Sequence, residues 1–182
     1  GEYIPLSDVL SVFVPANFGN LGAGTEPTPL DTSFGMAGGL ICYESIYPYV
    51  AREDVEAGAE YFLMVSNDSW FDGSAALRQH LCHAVMRCVE NGRDMARAGN
   101  TGISAVISAS GTIEKKSNAD TEEVLVSDIV PTTERTLYSY IGDLIALPLA
   151  GLYAFGIFLM IRGFILKIIA KKREKETISH NV

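Results

Sequence analysis

The run from Leu144 to Ile161 limits what this chain can fold into more than any other stretch. It holds 18 residues without a charge, and Tyr140-Ile141-Gly142 extends it upstream around Asp143. A helix of that length spans about 27 Å, close to the hydrocarbon thickness of a bilayer. No polar face appears over roughly five turns, which makes a buried core helix the weaker expectation. Glycines, Pro148 and tyrosines toward the upstream end suit a membrane span. Arg162 and Lys167 follow, then Lys171-Lys172-Arg173 and Lys175. Basic flanks stay on the cytoplasmic side. The expected organisation is a body over 1–138 facing the extracytoplasmic side, a transmembrane helix within 139–166, and a basic cytoplasmic tail over 167–182.

Charge divides along the same line. The net charge of −8 is the sum of −11 over residues 1–140 and +3 over residues 141–182. An acidic body argues against nucleic acid as a partner, because phosphate binding needs a basic surface. The three cysteines, Cys42, Cys82 and Cys88, form no regularly spaced framework, so disulfide stapling is not expected. The chain opens on Gly1-Glu2-Tyr3 without a basic, apolar leader, and reads as a piece of a longer protein.

The body alternates strand and helix signals. Residues 1–34 are broken by Pro5, Pro15, Pro27 and Pro29, leaving Val9–Phe13 as a short helix or strand and 17–33 as a loop. An apolar run from Phe34 to Ile41 leads to Cys42. Tyr47 to Ala57 has a helical pattern, with Gly58 to cap it. Tyr61–Ser66 is a continuous apolar strand of the kind buried on both faces, ending in the polar, aromatic turn Asn67–Gly73. Ala76–Ala98 has helical spacing that Gly92 weakens. Ile103–Ser108 and Val124–Val130 have strand patterns, the second stopped by Pro131. This order predicts an α/β fold, a layered sheet covered by helices.

Three constellations could carry chemistry. A cysteine at the end of a strand, followed by a carboxylate, fits Cys42 with Glu44; a rigid turn there exposes a thiol while fixing its backbone. Cys42 could equally be a small buried hydrophobe, and Glu44 an acid stabilising a helix start. Spacing alone does not bring Glu2 to Cys42. His80, Cys82, His83 and Cys88 could offer metal ligands, but no second pair exists elsewhere, and no metal or cofactor is expected. Ser66, Ser69 and Ser104 lack a G-x-S-x-G elbow.

Several pieces together resemble one family. They are Gly1-Glu2-Tyr3-Ile4-Pro5-Leu6, Ile41-Cys42-Tyr43-Glu44, Ser66-Asn67-Asp68-Ser69-Trp70-Phe71, Gln79-His80, Met86-Arg87 with Glu90 and Arg93, and Asn100-Thr101-Gly102-Ile103-Ser104. In order and spacing the chain resembles the C-terminal half of the apolipoprotein N-acyltransferases, a membrane-anchored branch of the nitrilase (carbon–nitrogen hydrolase) superfamily. The resemblance implies part of an α-β-β-α sandwich followed by a transmembrane helix. It also implies a Glu-Lys-Cys triad in which Cys42 takes an acyl group from a phospholipid. The group then passes to the N-terminal amine of a diacylglyceryl-modified lipoprotein. Glu2 and Glu44 match glutamates beside the site, and Tyr43 and Trp70 match residues near the acyl pocket. The implied location is a bacterial inner membrane, with the catalytic domain on the periplasmic side. The family's lysine lies just before the Gly1-Glu2-Tyr3 segment and its general-base glutamate far upstream, while the lysines here are Lys115, Lys116 and those from Lys167 onward, so neither triad partner has a counterpart in this chain. A membrane-anchored amidase of the same superfamily, or a non-catalytic tethered interaction domain, are the alternatives.

Overall fold

The computed structural model describes residues 24–180, with side chains for all of these but Ile145 and 168–180. Glu2, the first of the resembling segments and the short element expected at Val9–Phe13 lie outside the described residues. Two units separate between Tyr140 and Ile141.

The first unit is built on a six-stranded sheet in sequence order: β1 (Leu30–Thr32), β2 (Gly35–Ile41), β3 (Tyr61–Asn67), β4 (Met95–Asn100), β5 (Ala105–Ile107) and β6 (Ile113–Lys116). β2, β3 and β4 run parallel, while β1, β5 and β6 add antiparallel edges. Parallel neighbours need crossovers, and two helices supply them: α1 (Pro48–Glu56) joins β2 to β3, and α2 (Ala75–Asn91) joins β3 to β4. Pro48 occupies the first helical turn of α1, where its missing N–H costs nothing. Ser74 caps α2 by accepting from the Ala76 N–H at 3.3 Å.

Both helices pack on one face of the sheet. Leu40, Phe62, Met64, Met95 and Ile107 meet Ala51 and Val55 of α1 and Leu81, Ala84 and Cys88 of α2. The other face is open along the parallel strands, with Ile41 and Val65 each 54% exposed. The expectation that Tyr61–Ser66 is buried on both faces is corrected: a second covering layer is not present among the described residues.

Three further expectations are corrected. The helix read over Ala76–Ala98 stops at Asn91, because Gly92 turns left-handed at φ 63° and the Arg93 N–H closes back on the Cys88 carbonyl at 3.1 Å. The remainder becomes β4, a strand whose Met95 and Arg97 point inward. Val124–Val130 joins no ladder; Lys115 and Asp94 hold its backbone at Val126 and Val130, and Val124 is 88% exposed. Two short edge strands arose where no strand was expected, β1 inside the loop 17–33 and β6 in a charged stretch. Exposed lysines such as those of β6 are common on an edge, where they discourage pairing with other chains.

A short helix, α3 (Leu137–Ile141), closes the first unit. The second unit is a 3-10 turn at Gly142–Ile145 followed by α4 (Ala146–His180). The described side chains of α4 are exposed throughout. Leu137–Lys167, whose most apolar 18 residues have mean hydropathy 2.3, is the one stretch among the described residues long and apolar enough to cross a membrane.

Candidate active site

Cys42 stands where β2 ends and a 3-10 turn, Cys42–Ile46, begins. Its φ is +51°, in the left-handed region that costs a residue with a Cβ about 1–2 kcal/mol. Local bonds hold this conformation. The Glu44 carboxylate accepts the Ile41 N–H at 2.7 Å, and the Ser45 hydroxyl donates to the Cys42 carbonyl at 3.0 Å. The thiol is half-buried, its backbone strained and pinned on both sides of the turn.

A buried polar chain runs beneath this turn. His80, on α2, sets Nε2 3.1 Å from the Cys42 carbonyl oxygen and 3.1 Å from Ser45 Oγ. Its Nδ1 faces Asp68 Oδ1 at 2.9 Å. Asp68 also accepts from the Ser66 hydroxyl and, at 2.6 Å, from Arg97 of β4. Arg97 in turn donates to the Ile103 carbonyl at 3.0 Å. The chain therefore ties the carboxyl ends of β2 and β3 to the middle of β4 through one helical histidine. The Tyr43 and Phe71 rings lie 6.2 and 5.7 Å from the His80 ring.

Asp68 is 1% exposed, and burial alone would push its carboxyl up. Hydrogen bonds from His80 and Ser66, with the charges of Arg97 and His80, outweigh that and hold it below the usual carboxylate range. Space around it is tight. A Cβ on Gly102 would fall 2.1 Å from Asp68 Oδ2, so only glycine lets the 100–104 turn pass the carboxylate. A hollow of about 110 Å³ bordered by Asp68, Asp72 and Asp120 is too small for a fatty acyl chain and does not reach Cys42.

The residues proposed from sequence separate into groups. Tyr43 and Trp70 are 54% and 82% exposed, open to an incoming molecule. Glu44 bonds the turn's own backbone, the stabilising role that was its alternative reading. Asp54, buried on α1, is pushed up to about 6 by its burial and by Glu44 and Glu53 nearby. The cysteines and histidines of α2 do not converge: Cys88 is buried in the core, Cys82 is exposed, and His80 is engaged by Asp68. Among the described residues no group of three such side chains could hold a metal. Ser66 and Ser104 are occupied as hydrogen-bond partners of Asp68 and the Gly99 N–H. Sequence reasoning treated His80 as a possible ligand and missed its link to Cys42. The signal available was that Gln79-His80 and the Asn67–Asp68 turn both belong to the segments that carry the family resemblance.

Residues 2–138 match the carbon–nitrogen hydrolase family. The chain belongs to that family. This carbon–nitrogen hydrolase chain is 34% identical over 148 residues to an apolipoprotein N-acyltransferase of Geobacter metallireducens, covering 80% of the chain and 28% of the relative. It is 32% identical over 179 residues to one of Haemophilus influenzae, covering 94% and 33%. It thus spans about a third or less of the curated relatives it matches. A carbon–nitrogen hydrolase from Helicobacter pylori shares the fold at TM-score 0.51 and 20% identity, over 57% of this chain and 43% of that one.

Proposed function

We propose that this carbon–nitrogen hydrolase chain is the thiol-bearing part of a lipoprotein N-acyltransferase. The observation that carries the reading is Cys42, a half-buried thiol held left-handed at the carboxyl end of an interior strand. The names of the relatives supply the substrate class. In the first step the Cys42 thiolate attacks the ester carbonyl carbon of a phospholipid. The C–O bond breaks, the lysophospholipid oxygen takes up a proton, and a thioester remains. In the second, the N-terminal amine of a diacylglyceryl-cysteine lipoprotein attacks the thioester. The C–S bond breaks, an amide forms, the amine loses its proton and the thiolate returns. The Tyr43 N–H is the donor proposed for the tetrahedral oxyanion, where a fixed donor is worth most. Tyr43 and Trp70 are assigned to the acyl chain, and Glu2 and Glu44 to the rim of the site.

A thiol attacks at neutral pH when a base takes its proton or a nearby cation lowers its pKa. No lysine occurs before Lys115, so the triad lysine and glutamate are assigned to sequence upstream of residue 1, and the chain alone is expected to be inactive. The apolar stretch Leu137–Lys167 supports a membrane anchor. With the basic tail cytoplasmic, the body faces the periplasmic side of a bacterial inner membrane.

The test is mass spectrometry of the full-length protein incubated with phospholipid. An acyl adduct on Cys42, and loss of transfer in Cys42→Ser, is the expected result. An unmodified Cys42 beside an acylated Cys82 or Cys88 overturns the site. Release of free fatty acid without N-acylated lipoprotein would favour an amidase-like hydrolase.

A further inference from the structure

We propose that His80 is a positioning residue for the acylation step, acting through the Cys42–Tyr43 peptide; the inference rests on the acyl-transfer reading of Cys42. The Cys42 carbonyl oxygen receives two bonds, from Ser45 Oγ at 3.0 Å and from His80 Nε2 at 3.1 Å. A carbonyl and a carboxylate only accept, so the bonds to the Cys42 oxygen and to Asp68 Oδ1 together require hydrogen on both Nε2 and Nδ1. The peptide group is rigid and trans, so the Cys42 carbonyl and the Tyr43 N–H point in opposite directions from one plane. Fixing the carbonyl from below therefore fixes the aim of the Tyr43 N–H above, the group offered to the oxyanion. Donation to the carbonyl also polarises the amide and strengthens that N–H as a donor.

The rest of the chain of contacts serves this placement. The His80 ring is fixed by Asp68 at 2.9 Å, and Asp68 is fixed by Ser66 and by Arg97 at 2.6 Å. Phe71 meets its ring edge-on. His80 is 3% exposed, too buried to meet a lipid directly. A residue in that position can act on the reaction by holding the backbone.

The experiment uses the full-length protein with phospholipid and compares wild type, His80→Met and His80→Gln. Methionine fills the space without a donor; glutamine restores an N–H near the Nε2 position. Three quantities are read: the rate of acyl-Cys42 formation, the KM for phospholipid, and the rate of Cys42 alkylation by iodoacetamide, which needs no oxyanion donor. In His80→Met the acylation rate is expected to fall about tenfold or more, with KM and alkylation within about twofold, because only transition-state stabilisation is lost. His80→Gln is expected to regain most of the acylation rate. Thermal unfolding of both variants reports whether the fold persists. An acylation rate unchanged in His80→Met overturns the inference. So does a parallel loss of alkylation, which would mean that the turn itself had collapsed, or a glutamine variant that folds as well as wild type and acylates no faster than methionine. A wild type that never acylates on Cys42 overturns the reading beneath it.

Discussion

Arg97 donates to Asp68 at 2.6 Å, and neither side chain has any exposed surface. Burying two charges is costly, and their attraction offsets the cost only while both are present. Arg97→Met should leave Asp68 a buried carboxylate held only by Ser66 and His80, and destabilise the protein by about 3 kcal/mol. Adding Asp68→Asn to it should recover part of that loss. Denaturant unfolding of the single and double variants checks this, and an Arg97→Met protein as stable as wild type would refute it.

Asp54 and Asp68 pull the pH dependence of stability in opposite directions. The Asp68 carboxyl is held low, so its contribution is present above the ordinary carboxylate pKa and is lost as pH falls through its folded value. Asp54 rises from 3.8 to about 6, so the folded state binds the extra proton and stability declines as pH climbs through that window. Asp54→Asn should therefore match wild type near pH 3.5 and be more stable at pH 7, by on the order of 3 kcal/mol. Thermal melts at the two pH values read the difference. Equal stability at pH 7 would sink the idea.

The left-handed Cys42 sets reactivity against stability. Cys42→Ala removes the thiol and keeps the strain, whereas Cys42→Gly removes both. The glycine variant should be more stable than the alanine variant by about 1 kcal/mol, with acyl transfer abolished in each. Chemical unfolding ranks them; alanine equal to or above glycine would mean that the backbone is not strained.

The two α2 cysteines should differ sharply in reactivity. Burial, with a smaller push from Asp94, raises the Cys88 thiol to about 12, and the side chain is fully enclosed. Cys82 is exposed. Maleimide at pH 8 on the native protein should label Cys82 and spare Cys88 until the protein unfolds. Peptide mapping gives the answer, and rapid Cys88 labelling would contradict the packing.

Much of the fold was legible because the apolar periodicities were long. Tyr61–Ser66 and the helical stripe of α2 each bury a row of side chains, and a row is visible in one dimension. The end of α2 was harder, since Val89, Met95 and Ala98 continue an apolar pattern past Gly92. Only the left-handed glycine and the demands of β4 divide it. The edge strands β1 and β6 escaped notice because their side chains are largely exposed, so no burial pattern marks them.

That an acidic α/β body precedes the uncharged run Leu144–Ile161 was legible without a fold, because charge and hydropathy are properties of each residue. The sequence by itself also singled out Cys42 at the end of a strand. The connection from Cys42 to His80, and onward to Asp68 and Arg97, was decided by tertiary structure alone. Those residues are separated by 38, 12 and 29 positions along the chain. Only the parallel pairing of β2, β3 and β4, with α2 packed over them, brings their polar atoms into one dry line. There, hydrogen bonds hold what spacing could not predict.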